Sequence, residues 1–480
     1  MLSAILITPF ILALLALVIR SKSLLHVFYL VGAFAHFNIM LYFWHLQPEP
    51  CLNGWLALDH LGKIFLSITS VLFLMSAISA VNVLRGESHH YSPAHQGIFV
   101  ACMLFFLTTM TLVALSQHFG LMWVAVEATT LASAPLIYFH RSPKSLEATW
   151  KYLIICSVGI ALALMGNFLL AVAMSSVKSI EGSMLFNDLL AAAPKMSIPW
   201  LKVTFIFFLV GYGSKMGLAP MHTWLPDAHS EAPSTASAIL SGALLNCAFL
   251  GILRGKQLCI AAGIPDFGSE SLIALGLLSI AVSAIFMIGQ NDYKRMLAYS
   301  SVEHMGILAL GTGIGGSGAF AAIYHAVNHS LTKCMLFLTA GNILENYKTK
   351  SICDVSGVKK MLPITGALWL AGFLSITGTP PFGTFVSEFS IIKAAIDSGR
   401  YVVAAAFLAF LFIIFIGMVK PFLSMVYGLP SQSSSEKKMS EKALSVMPPL
   451  VLIILVLIMG IYIPAPLMNA LKAAAALIGG

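Results

Sequence analysis

Apolar residues fill this chain in long runs, and fourteen of them approach the roughly 20 residues that a helix needs to cross a bilayer. They begin near residues 3, 25, 61, 98, 118, 150, 201, 236, 271, 296, 318, 362, 401 and 446. Strands of a membrane barrel would alternate apolar and polar positions. The pattern therefore predicts an all-α integral membrane protein of about 14 transmembrane helices. Two runs are interrupted. In span seven, GYGSKMGLAPMHTWLPDAHSE (211–231) places Lys215 inside an apolar stretch and sets Gly217, Pro220 and Pro226 after it. In span twelve, TGTPPFGTF (377–385) stands just before Glu388. At membrane depth an opened backbone survives only where protein or a water-filled cavity satisfies it. The breaks are five spans apart, an odd offset that reverses orientation. Paired interruptions of this kind predict two inverted five-helix repeats, spans 4–8 and 9–13, with a transport path at the midplane. The implied division is a three-helix segment (1–97), two repeats (98–255 and 256–428) and a C-terminal helix and tail (429–480). One polar stretch, SQSSSEKKMSEK (431–442), reads as an inner loop.

Composition agrees, with 59% hydrophobic residues, 10% charged and a mean hydropathy of +0.91. A soluble globular protein is excluded. The net charge of +8 could suggest an anionic partner, but its placement explains it. With the N-terminus outside, fifteen Lys and Arg fall in inner loops, Lys294 among them, against eight in outer loops, including Arg254 and Lys256. That bias predicts a multi-pass inner (plasma) membrane protein with both termini outside, and no nucleic-acid role. The first run, MLSAILITPFILALLALVIR, lacks a basic n-region and reads as an uncleaved span. Seven scattered cysteines form no CxxC pair. Neither a dinucleotide nor a Walker A motif occurs, so redox or ATP chemistry would reside in another subunit.

The candidate chemistry is in the spans. An intramembrane lysine costs roughly 3 kcal/mol even on a lenient scale, so Lys215 is a functional candidate by default. Glu127, in MWVAVEATTLASAPL, is a second. The two read either as a switchable pair or as a lysine permanently neutralised by its carboxylate. In IYHAVNHSLTKCMLF, His325, His329 and Lys333 are spaced four apart and share one helix face, a ladder suited to proton transfer through water. The H-x-x-x-H pair also fits a metal, but no third ligand stands at helical spacing. Glu388 would end the series. Secondary candidates are Glu303 and His304 within a span, and His222, Asp227 and His229 near an inner mouth. Lys393 is equally consistent with snorkelling to an interface.

The strings KMGLAPMHTWLPDAHSEAP, KRMLAYSSVEHMG, HAVNHSLTKCMLFLTAG and GTPPFGTFVSEF resemble the antiporter-like membrane subunits of respiratory complex I, multi-subunit sodium/proton antiporters and group 4 membrane-bound hydrogenases. The likeness is closest to the hydrogenase-4 component F type and covers nearly the whole chain. It implies a proton-translocating subunit of a redox-driven complex, partnered by other membrane subunits and a peripheral redox arm, with no cofactor of its own. It also implies that Glu127, Lys215, His325, His329, Lys333 and Glu388 form the relay. One position departs: where a relative with the span-twelve glutamate has a span-eight lysine, this chain has Asn246, which cannot titrate. The rival reading is a stand-alone sodium/proton antiporter with a carbonyl-rich cation site at TGTPPFG.

Overall fold

The computed structural model describes residues 1–86, 91–175, 182–429 and 441–480. Most of the polar stretch 431–442, and Lys178, lie outside them. The helices are α1 (Leu2–Val18), α2 (Lys22–His45), α3 (His60–Gly86), α4 (Pro93–Leu115), α5 (Phe119–Ile137), α6 (Pro143–Met174), α7 (Phe186–Ala192), α8 (Ile198–Met216), α9 (Trp224–Glu231) and α10 (Ser234–Ile239). There follow α11 (Leu245–Ala261), α12 (Pro265–Met287), α13 (Tyr293–Ile314), α14 (Ser317–Tyr347), α15 (Val358–Met361), α16 (Pro363–Ile376), α17 (Gly383–Asp397), α18 (Tyr401–Tyr427), α19 (Ala443–Ile461) and α20 (Ala465–Ala476). A helix stands at each expected span, and α10 and α11 run on as one through a π-turn at Leu240–Leu244. Among the described residues nine helices are long and apolar enough to cross a membrane. The long helices α8, α13 and α14 are not among the nine, and they carry Lys215, Glu303, His304, His325, His329 and Lys333.

Both expected breaks are present and close in the same way. α8 ends at Gly217, in the left-handed region at φ 87°, and the Leu218 amide donates to the Gly213 carbonyl. After α16, Gly378 takes φ 61° and the Thr379 amide donates to the Leu374 carbonyl. Each is the glycine-ended cap in which the residue after the glycine reaches back to an orphan carbonyl. A proline follows three residues later in both, Pro220 and Pro381, preceded by cis peptide bonds.

Small residues bring the central helices together. A Cβ on Gly159 of α6 would lie 1.6 Å from Ser214 Oγ of α8, and one on Gly211 would lie 2.6 Å from the Ala163 backbone nitrogen. Without a hydrophobic drive in lipid, such close backbone approach is how spanning helices gain dispersion contacts. α14 passes through the core against α13, α16, α17 and α19, and is buried along most of its length.

Three charges assigned to loops are inside the fold. Arg254 and Lys256 lie on α11 and are 2% exposed, and Lys294 on α13 is 1% exposed. Each is long enough to find partners from a helix end. Arg254 pairs with Asp59 at 2.7 Å and stacks its guanidinium on Phe186, Lys256 donates to Ser269 and the Thr312 carbonyl, and Lys294 donates to the Ser230 and Ala232 carbonyls. Asp59 stands in the loop before α3. Burial pushes its carboxyl up, but the adjacent Arg254 and the Gly62 amide more than offset this and hold it below the usual carboxylate range.

Candidate functional site

Lys215 sits two residues before the break in α8 and is fully buried. Its ammonium donates to Thr130 Oγ1 at 2.6 Å and to Tyr152 Oη at 2.8 Å. Thr130 in turn donates to Glu127 Oε2 at 3.2 Å, and Ser157 donates to Glu127 Oε1 at 2.8 Å. Glu127 and Lys215 thus come together, but through a hydroxyl; no ion pair joins them among the described residues. Glu127 is only half-buried. Beyond the break, Trp224 packs on Tyr152 and donates to the Ser214 carbonyl, fixing the end of α8.

The middle of the site is uncharged. Asn246 follows the π-turn and donates to Ser330 Oγ of α14 at 2.7 Å, while its buried Oδ1 has no partner among the described residues. Ser241 bonds to Ser301 of α13 at 2.8 Å. A π-turn re-aims side chains by one position, and here Gly242 lets it press against α14: a Cβ there would lie 3.0 Å from the Ser330 carbonyl oxygen. The neighbouring Cys247 is within electrostatic range of Lys215.

The third part is centred on α14. His325 Nε2 and His304 Nδ1 are 2.9 Å apart, and His325 Nδ1 meets Ser387 Oγ at 2.8 Å. His329 lies between them and Lys333, its ring centroid 5.1 Å from His304 and 6.4 Å from His325, with both nitrogens unpartnered among the described residues. Lys333 donates to the Leu297 carbonyl and to Ser300 Oγ of α13, each at 2.7 Å. Glu303 is within electrostatic range of that lysine. Glu388 folds back over the span-twelve break, where a Cβ on Gly378 would come within 2.0 Å of its Oε2. The glycine there therefore serves both the turn and the space the carboxylate needs.

The remaining candidates do not join this seam. Lys393 is exposed and pairs with Asp397 one turn on, so the snorkelling alternative describes it. The expected mouth group is dispersed. Asp227 bridges Lys151 and Arg295 near the surface, His222 lies against the Phe286 and Tyr299 rings, and His229 is buried flat on Phe337 with both nitrogens unpartnered among the described residues. The groups that sequence reasoning missed are hydroxyls: Thr130, Tyr152, Ser157, Ser300, Ser330 and Ser387. Three of them had a signal, since Thr130 is one turn from Glu127 and Ser330 and Ser387 adjoin His329 and Glu388.

An all-helical membrane fold with paired broken helices and a buried seam of lysine, histidine and glutamate defines a class of ion-conducting membrane subunits. Residues 116–417 match the family described as NADH:quinone oxidoreductase/Mrp antiporter, transmembrane, and the chain belongs to that family. It is an antiporter-like subunit of the hydrogenase-4, complex I and Mrp kind. The hydrogenase-4 component F homolog of Methylacidiphilum infernorum (isolate V4) is 37% identical over 382 residues, 78% of this chain and 80% of that one. In fold, the chain is similar to one in the archaeal membrane-bound sulfane sulfur reductase, with TM-score 0.89, 22% identity and coverage of 99% and 97% of the two chains. It is similar also to one in the Mrp complex of Dietzia sp. DQ12-45-1b, with TM-score 0.85, 21% identity and the same coverage.

Proposed function

We propose that the chain translocates protons as one membrane subunit of a redox-driven complex of the hydrogenase-4 or complex I type. The supporting observation is a pair of polar stretches in which hydroxyls stand beside ionisable side chains, one from half-buried Glu127 through Thr130 to Lys215 and one in the core from Lys333 and Ser300 past His329 to His304, His325, Ser387 and Glu388. A proton enters from the inner side at Lys215 and passes by water along Asn246 and Ser330 to Lys333 and His329. It continues by His304 and His325 and leaves near Glu388. Asn246 needs no charge in this route, because its amide orders Ser330 and its free oxygen accepts from water.

Moving one charge against 100 mV costs about 2.3 kcal/mol. The seam holds no source for that energy, so it comes from partner subunits and their redox arm. Fourteen spans, the two inverted repeats with the boundaries given above, and termini outside an inner (plasma) membrane belong to the same proposal. The matched glycine caps at Gly217 and Gly378 support the repeats. The inner excess of Lys and Arg supports the orientation, and it survives when Arg254, Lys256 and Lys294 are taken out of the count.

The test is proton flux into inverted vesicles that carry the assembled complex. Lys215→Ala and Glu127→Ala should each abolish pumping while the variant chain still co-purifies with its partners; undiminished pumping would refute the route. A purified single chain that exchanges sodium for protons in liposomes would establish the stand-alone antiporter instead.

A further inference from the structure

Three helices aim metal-capable atoms at one point in the interior. A ring nitrogen from each of His304 (α13) and His325 (α14) and a carboxylate oxygen of Glu388 (α17) lie within 4.8 Å of one another. Both histidines are fully buried and Glu388 is 5% exposed. Ser387 Oγ occupies His325 Nδ1, which leaves Nε2 facing His304. His329, whose ring centroid is 5.1 Å from that of His304, has neither ring nitrogen hydrogen-bonded among the described residues. Buried polar atoms left over in this way call for an occupant.

We propose that His304, His325 and Glu388 form a binding site for a divalent cation of the Zn²⁺ type, which takes the place of the hydrogen bond between the two imidazoles. The donor set selects the class. Imidazole with one carboxylate suits zinc, whereas Na⁺, Mg²⁺ and Ca²⁺ are held by oxygen. Three protein ligands leave a fourth position for water or His329, the arrangement of an open rather than a sealed zinc site. Tetrahedral zinc holds its nitrogens roughly 3.3 Å apart, so the imidazoles at 2.9 Å need part by only about 0.4 Å. Glu388 has the rotatable bonds, and the bare Gly378 the space, to close the third side. Ser387 then acts as the outer partner that fixes the His325 tautomer. That a bound ion would obstruct proton passage rests on the function proposed above; that it binds does not.

Purified wild-type complex titrated calorimetrically with Zn²⁺ should bind one ion per copy of this chain beyond the number bound by a His304→Ala/Glu388→Ala double variant. Zinc X-ray absorption should show imidazole nitrogen around that ion. Ser387→Ala keeps all three ligands, and its affinity should fall about 10- to 100-fold, the usual loss for an outer-shell partner. Equal zinc uptake by wild type and double variant, or a spectrum free of imidazole, overturns the site. Zinc bound there with undiminished proton flux upholds the site and counts against the proton route, so the two failures are distinguishable.

Discussion

Lys215 is a buried cation whose nearest polar neighbours are neutral, and this decides how Glu127 can act on it. Thr130 accepts from the ammonium and donates to the carboxylate. Its hydroxyl therefore reports the state of one group to the other without bringing the charges into contact. A hydrogen bond to a charged group contributes about 1.5–3 kcal/mol, roughly ten- to a hundredfold in an equilibrium. Thr130→Val keeps the side-chain volume and removes the hydroxyl, so proton flux should fall by about that factor while the chain still assembles. Dye quenching in inverted vesicles measures it, and unchanged flux would show that Thr130 is only packing. The ionisable members of the seam were legible because a charge in an apolar run has no cheap explanation. The hydroxyls were far less so. Serines and threonines in helices commonly bond back to a carbonyl one turn earlier, as Thr69 and Thr149 do here, and the letters do not distinguish those from the few, such as Ser330, that also meet another helix.

Glycine and proline announce where a helix must open, and for that reason both broken elements could be placed from the letters, whereas α4, α6 and α12 begin five to seven residues before their expected starts. The π-turn could not, because it depends on the approach of α14 to Gly242. Helix ends were misread for a related reason: an arginine eight or so residues from a helix end resembles a loop charge until its partner, here Asp59 from a distant loop, is known. Asp59→Asn would leave Arg254 buried without its carboxylate. The deficit should be about 1–3 kcal/mol, discounted because Asp59 is partly exposed, and thermal unfolding in detergent would read it. The pair's contribution is present above the ordinary carboxylate range. It is lost as pH falls through the depressed Asp59 value, so wild type and variant should converge in acid and stay apart at neutral pH. Helix contacts make a second prediction. A Cβ at Gly211 meets backbone atoms at 2.6–2.8 Å, whereas one at Gly417 of α18 finds its nearest neighbour, a flexible methionine side chain, at 3.5 Å. Gly211→Ala should cost about 1–3 kcal/mol and displace Lys215 one turn away. Gly417→Ala should be neutral or slightly stabilising through helix propensity. Equal unfolding temperatures for the two would mean that α6 and α8 do not pack this closely.

Over the whole molecule, the proposed route runs mostly sideways, from α8 across α11 to α14 and α17, and this is what a subunit needs if it is to take energy from a neighbour and deliver it elsewhere. Half-buried Glu127 leaves the Lys215 end of that proposed route partly exposed, where an adjoining subunit can reach it. A lateral route has a direction only if the membrane orientation is known, and one side chain can report it. Cys353 is exposed, in the connection between α14 and α15, while Cys156, Cys247, Cys259 and Cys334 are buried. If both termini lie outside, an odd-numbered span such as the eleventh ends inside, and Cys353 faces the inner compartment. A membrane-impermeant maleimide should then leave it unmodified in intact cells and modify it in inverted vesicles. Cys353→Ser should remove that signal, and peptide mass spectrometry would identify the labelled position. Labelling of Cys353 in intact cells would put the termini inside. It would also invert the route, placing the Asp227 and Lys151 surface outside and requiring protons to enter the Lys215 end from there.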